Sequence, residues 1–338
     1  MAEAIHLLGL PQKHKESHIE DLHRKWYLAD EGSWVHRNPI PYGEWTRHYK
    51  AGGNAPFPIH GNWATMDDGW AIYDHDEKVF YVWFAGNRVG LSQFRIGLCK
   101  IDPTDDTVTW LNNDNPIFDP LTGYSHIRYP TVIYDKDDQK YHMAIMAYNT
   151  TTLKWNILAL ESSYKDTGWT YNPSSPIIGG TNQNYLTPSW ERVGDAVFCY
   201  VQDRNGASPY PTDLWYAKGS SRYTTFQEYP GNPVWTPGTE TWESGGVGNC
   251  TFSWIFGVFF FVYGGYYSAT SWQIGLAVGT TGWSYTRYPW NPILARGGSA
   301  FDWNSLSPRC LVRVEDTFYL WYNGHDGFVW QLGYAHLK

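Results

Sequence analysis

One short phrase recurs five times along this chain: Asn38-Pro39-Ile40, Asn115-Pro116-Ile117, Ser175-Pro176-Ile177, Asn232-Pro233-Val234 and Asn291-Pro292-Ile293. The intervals are 77, 60, 57 and 59 residues, and a near-constant period of that size marks a repeat architecture. Asn-Pro starts turns, and proline, with no N–H to give to a ladder, sits at sheet edges or strand ends. An aromatic residue precedes each copy: Trp34, Trp110, Trp169, Phe226 and Trp283. The phrase reads as the outer edge of a small sheet, used five times.

Two more phrases keep step with it. One is an aromatic strand: Phe80–Phe84, Tyr141–Ile145, Val197–Tyr200, Phe259–Tyr263 and Phe318–Tyr322. The other is a strand of small residues: Ile96-Gly97-Leu98, Ile157-Leu158-Ala159, Trp215-Tyr216-Ala217, Ile274-Gly275-Leu276 and Leu332-Gly333-Tyr334. With an inner strand first and the Asn-Pro edge last, each unit makes four antiparallel strands, one blade of a propeller. Aromatic residues make up 18 % of the chain, with 33 Gly and 20 Pro between them, which argues all-β. The expectation is a five-bladed β-propeller with blades starting near Trp63, Ser125, Asn184, Gly248 and Asn304.

The ends predict how the ring closes. The last glycine strand has no Asn-Pro edge after it, and the first Asn-Pro phrase has no glycine strand before it. A ring removes both open ends if 34–40 supplies the outer strand of the last blade. The propeller then covers 31–338. Residues 1–30 form an extension, partly helical because Ile19, Leu22 and Trp26 fall three and four apart. It is a possible docking segment, and its His14, His18 and His23 sit among Lys and Glu as a solvated face.

The net charge of −8 disfavours nucleic acid, whose binding rests on neutralising phosphates. No apolar run is long enough to span a bilayer, and the first ten residues make a poor signal peptide. Cytoplasmic synthesis follows, with incorporation into a virion one destination. Cys99, Cys199, Cys250 and Cys310 are spread over separate repeats, as buried free thiols would be. No spacing suggests a metal site or a cofactor.

From Trp34 to Lys338 the chain resembles the five-bladed glycosidase superfold of arabinanases, xylosidases, invertases, levansucrases and mannoside phosphorylases. The Asn-Pro-Ile edges, Ile-Gly-Leu strands and Tyr-x-Trp-Tyr-x-Gly strand carry the likeness. The resemblance implies three carboxylates at successive inner-strand starts. The first matches Asp68 in Trp63-Ala64-Thr65-Met66-Asp67-Asp68-Gly69. The second, Arg-Asp-Pro, reads Arg128-Tyr129-Pro130 here, with tyrosine in the carboxylate's place. The third, Glu-x-Pro, reads Leu186-Thr187-Pro188, with leucine in place of the acid. Glycoside cleavage needs two carboxyl groups, so Asp68 needs a substitute partner, either Asp203 or Glu191.

Funnel candidates for ligand binding are Asp67, His126, Arg128, Tyr129, Trp190, Arg204, Arg309, His325 and Asp326. Arg128 and Arg309 suit a bidentate hold on a carboxylate or phosphate, or a structural clamp on Asp67 and Asp68. The expected function is a non-catalytic, glycosidase-like propeller that binds carbohydrate or a protein, for instance in a phage tail or other surface assembly. Two alternatives stay open. One is an active glycoside hydrolase or phosphorylase pairing Asp68 with Asp203, Glu191 or Asp326. The other is a purely structural propeller.

Overall fold

The computed structural model describes residues 45–48, 63–90, 93–179, 184–204, 212–255, 257–267, 271–297 and 301–337. These residues form five four-stranded antiparallel sheets. Blade one is β2 (Asp67–Asp74), β3 (Val79–Asn87), β4 (Phe94–Asp102) and β5 (Thr107–Trp110). Blade two is β6 (Tyr124–Asp135), β7 (Lys140–Asn149), β8 (Lys154–Ser162) and β9 (Thr170–Tyr171). Blade three is β10 (Tyr185–Val193), β11 (Ala196–Asp203), β12 (Thr212–Lys218) and β13 (Gln227–Glu228). Blade four is β14 (Gly246–Ile255), β15 (Val258–Tyr266), β16 (Trp272–Thr281) and β17 (Ser284–Arg287). Blade five takes β18 (Ser305–Val314), β19 (Thr317–His325) and β20 (Trp330–Leu337) from the end of the chain, and β1 (Thr46–Arg47) from its beginning. The inner strands touch in the order β2, β6, β10, β14, β18 and back to β2, which closes the ring.

The recurring phrases have physical roles. Rings meet across every blade boundary: between second strands, Trp83 with Tyr141, Phe198 with Phe259, Phe260 with Phe318 and Trp321 with Phe80, and between blades two and three His142 of β7 with Tyr223 of the loop after β12. Glycine in the third strand leaves room for a ring laid across it. A Cβ on Gly97 would come within 2.7 Å of Trp63, and one on Gly333 within 2.3 Å of Phe301. The Asn-Pro phrase sits just past the fourth strand. Asn232 pairs its side-chain amide with both the N–H and the C=O of Leu214, and Asn291 does the same with Leu276. The amide thus extends the ladder where proline cannot, and the chain rejoins it within two residues of the proline: Val234 N–H bonds Thr212 O, and Leu294 N–H bonds Ile274 O. All four cysteines are buried and free.

The strand that closes blade five is Thr46–Arg47, which pairs with His336 and Ala335. The stretch expected to do this, 34–40, and the extension at 1–30 lie outside the described residues. So short a strand is anchored by side chains. His48 stacks on Tyr334 with ring centroids 4.0 Å apart and places Nδ1 3.1 Å from Asp106 of blade one. Arg47 lies 3.2 Å from the fully buried Asp302, which also accepts from the Tyr322 hydroxyl at 3.0 Å. Arg47→Ala, by removing a charged partner from a buried carboxylate, should cost about 1.5–3 kcal/mol. Urea unfolding measures it, and an unchanged midpoint would show that this anchor is dispensable.

Candidate functional site

The site is built by an irregularity that every blade repeats. In each inner strand the pairing register slips near its start: between Asp67 and Trp70, Arg128 and Thr131, Leu186 and Ser189, Gly248 and Thr251, and Pro308 and Cys310. Four residues inside these slips have left-handed backbone: Asp68 (φ 52°), Tyr129 (φ 53°), Thr187 (φ 50°) and Asn249 (φ 50°). Such bulges re-aim side chains. A non-glycine residue held there costs on the order of 1–3 kcal/mol, and such strain clusters at functional sites. Arg309 is the matching residue of blade five.

Asp68, from β2, is fully buried. Its Oδ2 accepts from Arg128 Nε at 2.7 Å, and its Oδ1 lies 2.9 Å from an Arg309 guanidinium nitrogen. The same Oδ1 accepts from Asn323 Nδ2 at 3.2 Å, while the Asp68 N–H donates to Asn323 Oδ1 at 3.1 Å. Asp67 Oδ2 takes a second Arg128 nitrogen at 2.8 Å. Arg128 is therefore a fork over two adjacent carboxyl groups. Its guanidinium lies 4.1 Å from the Phe94 ring centroid and 5.2 Å from that of Tyr129, and Arg309 lies 4.4 Å from Tyr129 on its own account. Phe94, Arg128, Tyr129 and Arg309 form one cation–π series.

Burial, and then the charge of Asp68, push the Asp67 carboxyl up to about 8, against the pull of Arg128 and Arg309. Burial thus favours the neutral form of Asp67, and two guanidiniums face Asp68. Several buried polar atoms of the inner strands have no hydrogen-bond partner among the described residues: Asp67 Oδ1, Arg309 Nε, Ser307 Oγ and Thr187 Oγ1.

The other residues named from sequence fall elsewhere. His126 is half-buried at the start of β6 beside Phe94, Tyr148 and Trp155. Trp190 is fully buried, stacked on Phe226 and against Tyr223, so it packs the core and has no face left for a ligand. Asp203 ends β11 opposite Tyr185. The charges acting on Asp67 come from Asp68, Arg128 and Arg309, whereas Asp203 acts on Asp213 and Tyr185 of its own blade. Arg204 is exposed, its N–H donating to Asn184 O. Asp326 is used by its own turn, accepting from the Phe328 and Val329 N–H groups and from Gln331. His325 Nδ1 lies 3.0 Å from the Asn304 amide. Glu191 lies four residues past the bulge of β10, and burial raises its carboxyl to about 8.

Sequence reasoning missed Asn323, Phe94, Tyr148 and Trp155. Asn323 had a signal, since it stands in the Tyr-x-Gly end of the fifth aromatic strand. One further cluster, Asp135, Asp138 and His142, brings its ligand atoms within 4.8 Å of one another. Asp135 already accepts from Arg192, Arg222 and the Tyr223 hydroxyl, so this is an ion-paired clamp between blades two and three.

No protein-family model matches the chain, and no curated protein matches it. Solved structures match along most of its length. The β-1,2-mannobiose phosphorylase of Listeria innocua, in complex with β-1,2-mannobiose, is 12 % identical, with 88 % of this chain and 97 % of that one covered and a TM-score of 0.66. The catalytic domain of a Coprinopsis cinerea α-L-arabinofuranosidase is 12 % identical over 87 % and 97 %, at 0.61. A thermostable family-43 glycoside hydrolase is 13 % identical over 85 % and 91 %, at 0.58. The chain has the five-bladed propeller fold of glycoside hydrolases and phosphorylases.

Asp67 makes stability depend on pH. Its folded value lies above its ordinary 3.8, so its stabilising contribution is full below that value and is lost as pH rises towards 8. Asp67→Asn should therefore raise the melting temperature relative to wild type at pH 9 and change it least at pH 5. Glu191 titrates in the same window, so the variant flattens the profile without abolishing the slope. A difference that is the same at both pH values would contradict the assignment.

Proposed function

We infer that this chain is a carbohydrate-binding propeller that does not turn over glycosides. One observation carries the reading: Asp68, at the position of the first family carboxylate, is enclosed. Both its oxygens are engaged, Oδ1 by Arg309 and Asn323 and Oδ2 by Arg128, and the residue has no exposed surface for a substrate to reach. Tyr129 and Leu186 stand where the resemblance implies the second and third carboxylates. Half-buried Phe94, Tyr129, Tyr148 and Trp155 supply ring faces for the C–H faces of sugars, beside polar groups that can take hydroxyls. The phosphorylase of the same fold, in complex with β-1,2-mannobiose, supports a sugar as the class of ligand.

A second reading has one observation in its favour. The neutral Asp67 carboxyl has the protonation state of a general acid. An inverting hydrolase would need a base roughly 6.5–9.5 Å away and a retaining one a nucleophile at about 5–5.5 Å. Asp203 is the candidate for that role, because Glu191, raised to about 8 by burial, favours the protonated form as Asp67 does.

A glycan array run beside a panel of chromogenic glycosides separates the two. The expected result is binding without turnover, together with a clear loss of thermal stability in Asp68→Asn, because that change leaves guanidiniums buried without their counter-charge. Turnover by wild type that vanishes in a stably folded Asp68→Asn would make the protein an enzyme. Silence in both assays would favour a structural or protein-docking propeller.

A further inference from the structure

The wall of blade two has a consequence for ligand choice. Four half-buried rings gather at the end where β6 begins. His126 stands 6.3 Å from Phe94, 6.5 Å from Tyr148 and 6.3 Å from Trp155, centroid to centroid, and Tyr148 meets Trp155 at 5.2 Å. Phe94 also lies 4.1 Å, centroid to guanidinium, from Arg128, so the rings join the charged cluster. Arg95, next to Phe94, donates to the carbonyls of Phe94 and Ser125 and to Gln93.

The charges do not cancel. Arg128 and Arg309 both face Asp68, and burial holds the neighbouring Asp67 carboxyl towards its neutral form. Arg95 adds a third guanidinium, with Asp119 the carboxylate acting on it. His126 responds to that excess: burial first, then Arg128 and Arg95, hold it below its ordinary 6.5, so it is neutral at pH 7. Arg309 Nε is a buried donor with no partner among the described residues. A local positive excess in a chain of net charge −8 is not a by-product of composition.

Resting on the carbohydrate-binding reading, we propose that this site selects sugars bearing an anionic group, the sugar ring stacking on Phe94, Tyr148 and Trp155 and the anion drawn to Arg95, Arg128 and Arg309. Carboxylate and phosphate share the chemistry, since both accept from planar guanidinium forks. No bond is made or broken.

The test is a set of paired oligosaccharides: uronate-bearing members, their methyl esters as neutral partners, and sugar phosphates. Binding is measured at pH 6.5 and pH 9. Acidic members should bind at least about tenfold more tightly than their esters, a difference of about 1.4 kcal/mol. Their affinity should fall at pH 9, where Asp67 ionises and cancels the excess. The groups facing Asp67 are Asp68 on β2, Arg128 and Tyr129 on β6, and Arg309 on β18; Tyr129 is raised above its ordinary 10.0, chiefly by burial, and so stays neutral at pH 9. Asp67→Asn should bind acidic sugars at both pH values, although Glu191 and Asp213 still titrate in it. Arg95→Gln, which leaves the Asp67–Asp68 clamp intact, should weaken acidic members alone, and Trp155→Ala should weaken acids and esters together. A preference for phosphates over uronates would identify the phosphoryl group as the anion. Equal binding of acids and esters would overturn the proposal while leaving carbohydrate binding standing. No binding to any member would overturn both.

Discussion

The ring is tied at its axis by one carboxylate. Asp68 belongs to blade one, Arg128 to blade two, and Arg309 and Asn323 to blade five. The contacts that hold Asp68 therefore cross the boundary between blades one and two and also the seam where the last blade meets the first. A propeller has no covalent closure, and its stability depends on that seam. Here the seam is held at the axis by Asp68, on the outside by His48, next to β1, reaching Asp106 of blade one, and between them by Phe80 against Trp321.

Charges buried this deeply are costly unless fully paired, and the molecule pairs them repeatedly across blade boundaries. Asp135 of blade two accepts from Arg192 and Arg222 of blade three, and Lys165 of blade two reaches Asp74 of blade one. The floor of the funnel uses the same device with one difference. It contains two carboxyl groups side by side, and burial lets only one ionise readily. Burial of Asp67 beside Asp68 disfavours a second negative charge there. Under the proposed function, the missing acid/base pair and the anion-attracting surface would both follow from the same four residues.

Much of the fold was legible in the sequence because repeats multiply weak signals. A single Asn-Pro or Ile-Gly-Leu says little, but five in register specify blade number, strand order and closure by the chain's beginning. The site was legible in part. Asp68, Arg128 and Arg309 were singled out, and the clamp was one of the two roles weighed for the arginines. Their convergence was not readable, because it depends on left-handed bulges at Asp68 and Tyr129, for which neither residue type is a strong signal. Trp190 misled because a tryptophan near a strand start looks the same whether it faces a ligand or the next blade. Asp203 ends a second strand and acts on Asp213 and Tyr185 of its own blade, while Asp326 follows one and is held by hydrogen bonds within its own turn. Phe94 and Trp155 open third strands, which the search for inner-strand residues passed over.

The central claim is that Asp68 is bound energetically to the guanidiniums around it rather than held ready for chemistry. A double-mutant cycle on Asp68→Asn and Arg309→Gln, read by chemical unfolding, measures that link directly. The account predicts a coupling energy of about 2 kcal/mol or more, with the double variant much less destabilised than the two single changes summed. Additive effects, with a coupling near zero, would contradict it.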